Sequence, residues 1–183
     1  MKKLQLLLAI FICSISASIG QGIPPAPADK AVVYFIRSSN TGFAINFSYF
    51  DSDRLFGLFA GKGYIRYECS PGSHLFWARS ENKDFVEAEV DAGKVYFIEA
   101  IVQMGFVKAA VRLQPIDPTN QRKMKGILKI IEKNEPESLT DEDVKIENEK
   151  FQDVITRGLE KYKEEKVNGE KFNRLEKTMF LNK

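Results

Sequence analysis

One histidine, His74, and two cysteines, Cys13 and Cys69, are the whole supply of imidazole and thiol ligands in this 183-residue chain. A zinc centre needs several such ligands around one ion, so zinc chemistry is excluded. The acidic pairs Asp51 with Asp53 and Asp141 with Asp143 offer hard oxygens for calcium. Neither opens a loop with the glycine and distal glutamate of an EF-hand, and turn or helix-cap roles fit them better. Nucleophilic catalysis requires a base beside the nucleophile. His74 is the only histidine, and Ser73 next to it on a strand points to the opposite face, so the two make a poor pair. Cys69 shares an apolar strand face with Ile65 and Tyr67 and reads as a buried, inert thiol. The run Gly57-Leu58-Phe59-Ala60-Gly61-Lys62-Gly63 resembles a phosphate-binding loop only superficially. Three residues rather than four separate its first two glycines, and Gly63 stands where a magnesium-binding hydroxyl belongs. No catalytic residue, metal set or cofactor site is expected.

The aromatic residues carry more information. The chain has 14 Phe, 6 Tyr and one Trp, more rings than one small core obviously needs. Phe76 and Trp77 are neighbours on one strand, so their rings face opposite ways and cannot enter the same core layer. Either one ring is exposed, or a helix from the C-terminal region covers it. An exposed Trp77 flanked by Arg79, or by Tyr64 on a neighbouring strand, would stack on a sugar or insert into a protein partner. Trp77, Tyr64 and Arg79 are therefore the candidate contact residues.

The first segment indicates the compartment. Met1, Lys2 and Lys3 precede an almost wholly apolar run, Leu4 to Ile19, in the pattern of a bacterial signal peptide. Ser18 and Gly20 suit cleavage after Gly20; cleavage after Ser18 is the near competitor. The run falls short of the roughly 18 to 20 unbroken apolar residues that span a bilayer, so no integral span is expected after cleavage. Cys13 follows Ile12, where a lipidated cysteine would follow a small residue, so a lipoprotein is not expected. Removing Lys2 and Lys3 takes 27 basic residues to 25, against 25 acidic ones, and the net charge to zero. That balance offers no general attraction for nucleic acid. Loss of Cys13 leaves Cys69 alone, so no internal disulfide forms.

Behind these residues lies a simple organisation. Residues 21–30 form a Pro-rich linker, since its prolines lack backbone donors. From Ala31 to Pro115, short apolar or alternating runs predict about eight strands: Ala31 to Arg37, Phe43 to Phe50, Arg54 to Ala60, Tyr64 to Cys69, His74 to Arg79, Phe85 to Val90, Val95 to Val102 and Phe106 to Gln114. Pro71-Gly72, Gly61-Lys62-Gly63, Ala92-Gly93 and Met104-Gly105 mark turns between runs expected to pair as antiparallel neighbours. The expected architecture is mainly β, an antiparallel sandwich of about 7–8 strands over 31–117. Residues 118–183 form a charged helical extension, with 15 basic and 14 acidic residues between Thr119 and Lys183. Met124, Ile127, Leu128 and Ile131 mark one helix; Val144, Phe151, Ile155 and Tyr162 mark a longer one begun by a Thr140–Asp143 cap; Phe172, Leu175 and Met179 mark a last short one.

The opening strand Ala31-Val32-Val33-Tyr34-Phe35-Ile36-Arg37, the turn Ser70-Pro71-Gly72-Ser73-His74 and the strand start Ala92-Gly93-Lys94-Val95-Tyr96-Phe97 resemble an uncharacterised family of exported bacterial β-sandwich domains, many of them lipoproteins. The resemblance covers roughly half the chain and implies a fold without catalytic residues. The Pro-Gly turn and late Gly-Lys-aromatic strand are also similar to envelope modules of the PEGA kind, which implies surface polysaccharide binding. The expected function is an exported, non-catalytic interaction or scaffold domain of the cell envelope. A carbohydrate or cell-wall binding module using exposed aromatics is the alternative, and an enzyme stands third. The expected partner is an envelope protein or a cell-wall polysaccharide; the oligomeric state is open.

Overall fold

The computed structural model describes residues 22–104 and 109–182; the expected signal peptide, Gly105 of the expected Met104-Gly105 turn and the first three residues of the expected strand from Phe106 to Gln114 lie outside the described residues. The described chain is mainly β. In order it runs β1 (Ala31–Arg37), β2 (Phe47–Asp51), β3 (Arg54–Phe59), β4 (Gly63–Cys69), β5 (Gly72–Arg79), β6 (Lys83–Val90), β7 (Val95–Met104) and β8 (Ala109–Pro115). Three helices follow, α1 (Gln121–Lys133), α2 (Asp141–Lys150) and α3 (Gln152–Val167), and then β9 (Asn173–Leu175).

The strands make two sheets, ordered β4-β1-β7-β8 and β3-β2-β5-β6-β9. Both are mixed, which corrects the expectation of purely antiparallel sheets. β1 runs parallel to β7, with Val32 opposite Val95 and Ile36 opposite Glu99, and β6 runs parallel to β9. Three turns expected to join paired strands instead carry the chain from one sheet to the other: Gly61-Lys62-Gly63, Pro71-Gly72 and Ala92-Gly93. Gly61 and Gly93 hold φ of 77° and 72°, which an L side chain rarely adopts. Such a reversal lets the next strand fall on either layer. Burial of the strand's apolar face decides which.

Alternate residues of both sheets meet in one core: Val33 and Phe35 of β1, Phe47 and Tyr49 of β2, Phe76 of β5, Tyr96 and Ile98 of β7, and Leu175 of β9. The outward faces are apolar too. Met124, Ile127 and Ile130 of α1, with Ile23 before β1, bury Tyr34, Ile36, Tyr64 and Phe97. On the other sheet, Ile155 of α3 with Phe151 and Phe172 covers Phe50, Trp77 and Phe85.

The C-terminal region differs from expectation in two places. The long predicted helix breaks at Phe151, which ends α2 and starts α3 while its ring packs 5.9 Å from Phe50. The last predicted helix is instead β9, whose backbone pairs with the edge of β6 and satisfies polar groups that a bare edge would leave open. The Thr140–Asp143 capping box is present as expected.

Gly158 of α3 sits directly over the tryptophan. A Cβ at this position would lie 2.5 Å from the Trp77 ring. Helix propensity alone would favour alanine over glycine by about 1 kcal/mol. The close approach reverses the sign, so Gly158→Ala should destabilise the chain by about 1–3 kcal/mol in urea denaturation; an unchanged or higher midpoint would contradict the packing described.

Candidate functional site

Trp77 has no exposed surface. Its ring stacks on Phe50 at 3.9 Å, and its Nε1 donates to the Ser52 carbonyl at 2.9 Å. Phe76 enters the shared core while Trp77 faces outward beneath α3, as their adjacency requires. Tyr64 does not stand on a strand neighbouring Trp77: it lies in the other sheet, buried beneath α1 and 5.8 Å from Tyr34. Arg79 is half-buried at the end of β5, opposite Lys83. Burial, with Arg157, Arg79 and Lys161 nearby, lowers the Lys83 pKa. The three candidate contact residues therefore do not converge, and the two rings offer no open face to a ligand. Among the described residues, the large apolar ones that remain exposed are Phe43, Leu128, Ile146 and Val167, one from each of four different segments.

At one end of the molecule Asp51, Tyr67 and His74 form a polar knot that the sequence reading left apart. His74 Nδ1 lies 2.7 Å from Asp51 Oδ2, Nε2 lies 2.8 Å from the Ser70 carbonyl, and the Tyr67 hydroxyl donates to the same aspartate oxygen at 3.1 Å. The imidazole also stacks on Phe76 at 5.2 Å. Both acceptors draw a proton onto the ring, so the doubly protonated cation satisfies both bonds. Burial by itself would lower the His74 pKa, but the bonds to Asp51, Cys69 and Ser70 and the Asp51 charge outweigh it and push it up to about 10. A histidine held protonated with both nitrogens engaged is a structural tie, not a general base.

A different pocket, of about 430 Å³, lies along α1. Its wall includes Ser38, Lys62, Glu99, Arg122, Gly126 and Lys129, with Ile127 and Ile130 as an apolar floor. Glu99 is the only acidic residue of β7 and is 2% exposed, on the face where Val95 and Phe97 are buried with residues of α1. Ser38 donates to its Oε1, and the Lys123 ammonium pairs with Oε2 without hydrogen-bond alignment. Arg37, fully buried, fixes the loop that carries Ser38 by donating to the carbonyls of Ile45 and Gly42, each at 2.6 Å, while its guanidinium lies 4.3 Å over Phe47.

Three features of this pocket each work against stability. A buried carboxylate loses its hydration. Arg122 and Lys123 stand in the first turn of a helix that has no acidic residue there, against the helix dipole. Gly126 occupies the middle of α1, with nothing within 4 Å of where a Cβ would be. Neither turn geometry nor internal packing explains that glycine. Three local rules are thus broken together at one cavity, the pattern expected of a functional or a strained site. A lone glutamate inside an apolar strand and a glycine inside a charged helix were the signals available in the sequence. A nearly balanced net charge of +2 hid them.

Among the described residues no group of three or more His, Cys, Asp or Glu side chains is placed to hold a metal ion, and no helix is long and apolar enough to cross a membrane. No family model, curated protein or solved structure matches the chain. The chemistry of the site therefore rests on its own geometry.

Two outcomes test these assignments. The folded state raises the His74 pKa, so its contribution is fully present below the unfolded value near 6.5 and fades as pH rises to about 10. Wild type should exceed His74→Gln in stability at pH 6 and lose most of that margin by pH 10.5; a margin independent of pH would remove the charged tie. Gly126→Ala should stabilise the chain by about 0.5–1 kcal/mol, opposite in sign to Gly158→Ala. A destabilised Gly126→Ala would mean that the glycine serves folding after all.

Proposed function

We propose that the protein is an exported, non-catalytic binding module of the bacterial cell envelope, a β-sandwich scaffold that presents the α1 pocket to its ligand. The observation that carries this reading is the convergence on one cavity of Glu99, the Arg122–Lys123 pair and Gly126, each of which costs stability where it stands. Export rests on the signal-peptide pattern of the first 20 residues and on the resemblance to exported sandwich domains. The two sheets enclosing a common core support the sandwich description. A non-catalytic role is supported by the engagement of both His74 nitrogens and the burial of Cys69.

Both outward sheet faces are occupied by the chain's own helices, so aromatic stacking on Trp77 is no longer an attractive means of holding a glycan. A pocket suits a small chemical unit better than a flat protein face. Trp77→Ala would remove a fully buried ring and cost about 3–5 kcal/mol, which makes it a probe of folding rather than of binding.

The test compares wild type with Gly126→Trp, which plugs the pocket from the exposed side of α1, and with Val167→Ala, on the exposed end of α3 against the other sheet, as a surface control. Each is cross-linked to envelope extracts and passed over cell-wall polysaccharide, with circular dichroism reporting the fold. Wild type and Val167→Ala should retain the same material and Gly126→Trp should lose it. Equal retention by all three, or none by any, would sink the reading.

A further inference from the structure

We propose that the protein pairs with a second copy of itself along the free edge of β4, with Arg66 of each subunit opposite Glu68 of the other. The sheet edges of this molecule are treated unequally. Along β8, the Ser80 hydroxyl donates to the Ala109 carbonyl at 2.9 Å and Asp84 accepts from the Leu113 N–H at 2.6 Å. Between them the Asn82 side chain accepts from the Val111 N–H at 2.7 Å and donates to its carbonyl at 2.9 Å, as a neighbouring strand would. β6 is paired with β9, and Asn148 of α2 accepts from the Leu55 N–H of β3 at 2.8 Å. On the outer edge of β4 the Tyr64 carbonyl is answered by the Glu137 N–H at 2.8 Å. Backbone direction repeats every two residues, so the N–H and carbonyl groups of Arg66 and Glu68 also face away from β1. They have no partner among the described residues. Bare edge groups are a template for another strand.

Side-chain charge selects which strand. Arg66 and Glu68 share one face, pair with each other and are 25% and 43% exposed. An antiparallel pairing about a two-fold axis at Tyr67 sets Arg66 opposite Glu68 of the partner subunit, and Glu68 opposite the partner's Arg66. Each of these residue pairs exchanges both its backbone bonds, and every neighbouring charge is of opposite sign. An axis at Arg66 or at Glu68 would instead set like charges opposite one another. Arg66-Tyr67-Glu68 is therefore complementary to itself in one register, the condition for a closed two-fold contact.

The surroundings of the edge fit this partner. Residues 60–62 join β3 to β4 and Phe56 stacks on Tyr67 at 4.1 Å, so the edges of the two sheets lie on one side of the molecule. α2 stands there, anchored to β3 by Asn148. Ile146 is turned about 200° from Asn148 round the helix and faces away from β3, leaving 42% of a large apolar residue exposed on the side where the second copy sits. On the outer face, α1 covers β1 with Tyr64 of β4 and Phe97 of β7 to either side. The two β1 strands would lie three strand spacings, about 14 Å, apart. Helices pack at about 8–10 Å, so both copies of α1 fit on that face. Pairing thus joins two four-stranded sheets into one and turns both α1 pockets to the same side.

Sedimentation velocity from micromolar to near-millimolar concentration tests the assignment, with circular dichroism reporting the fold. Wild type should move toward the sedimentation coefficient of a dimer as concentration rises. Arg66→Glu and Glu68→Arg each set like charges across the axis and should each weaken self-association at least about tenfold, about 1.4 kcal/mol. Ile146→Asp should weaken it as well. Mixed in equal amounts, the Arg66→Glu and Glu68→Arg chains should associate with each other, and the double exchange in one chain should restore self-association. A monomer at every concentration, a dimer indifferent to these three substitutions, or folded single variants that neither the mixture nor the double exchange rescues would overturn the proposal.

Discussion

The strand Ala31–Arg37 has no polar face. Every one of its seven residues is buried, and a sheet with such a strand between two others has to be covered on both sides. The second sheet covers one side, meeting Val33 and Phe35 with Tyr49 and Phe76. Covering the other side falls to α1 and to Ile23. The same demand recurs in β5, where Phe76 faces the shared core and Trp77 faces outward against Phe50 and the backbone of α3 at Gly158. What reads in the sequence as a charged tail is thus the third and fourth layer of the structure. Each helix has an apolar stripe too narrow to hold it folded alone, so cover and core depend on each other.

That mutual cover restricts where function can reside. The rings that a polysaccharide-binding surface would use are spent on packing, and Tyr64 and Trp77 lie under different helices on different sheets. Polar chemistry survives where the cover meets the sheet. At β7 a single glutamate interrupts an apolar face. It is tolerated because Arg37 clamps the 41–45 carbonyls, the next residue, Ser38, donates to it, and Lys123 of the covering helix neutralises it. The pocket is consequently a product of how α1 is seated, with Arg122 and Lys123 in a first turn whose dipole disfavours them.

Charge in this molecule is balanced in total and uneven in space. The His74–Asp51 tie is closed, with both His74 nitrogens and the Tyr67 hydroxyl engaged. The α1 pocket is open, with Lys62, Arg122 and Lys129 unmatched among the described residues. An overall charge of only +2 argues against wholesale attraction to a polyanion, yet it places no limit on a local cluster of three cations. The two statements concern different length scales, since exposed charges are screened over about 10 Å.

Sequence by itself determined most of the strands, because side-chain alternation repeats every two residues and glycine or proline punctuates it: Ala31–Arg37 is read to the residue and the starts of β3 and β7 fall where the pattern puts them, whereas β2 begins at Phe47 and not at the expected Phe43. It determined the Thr140 cap, a contact made within three residues, and the opposition of Phe76 to Trp77. Only the tertiary structure decided which sheet each strand joins, that β1 lies parallel to β7, and that Asn173–Leu175 extends β6 rather than coiling. It alone brought Asp51 to His74, and Glu99 to Ser38, Lys123 and the bare side of α1. The difference is one of range. Local geometry is written in neighbouring side chains, whereas the choice of layer and partner belongs to the burial of apolar faces contributed by residues far apart in the chain.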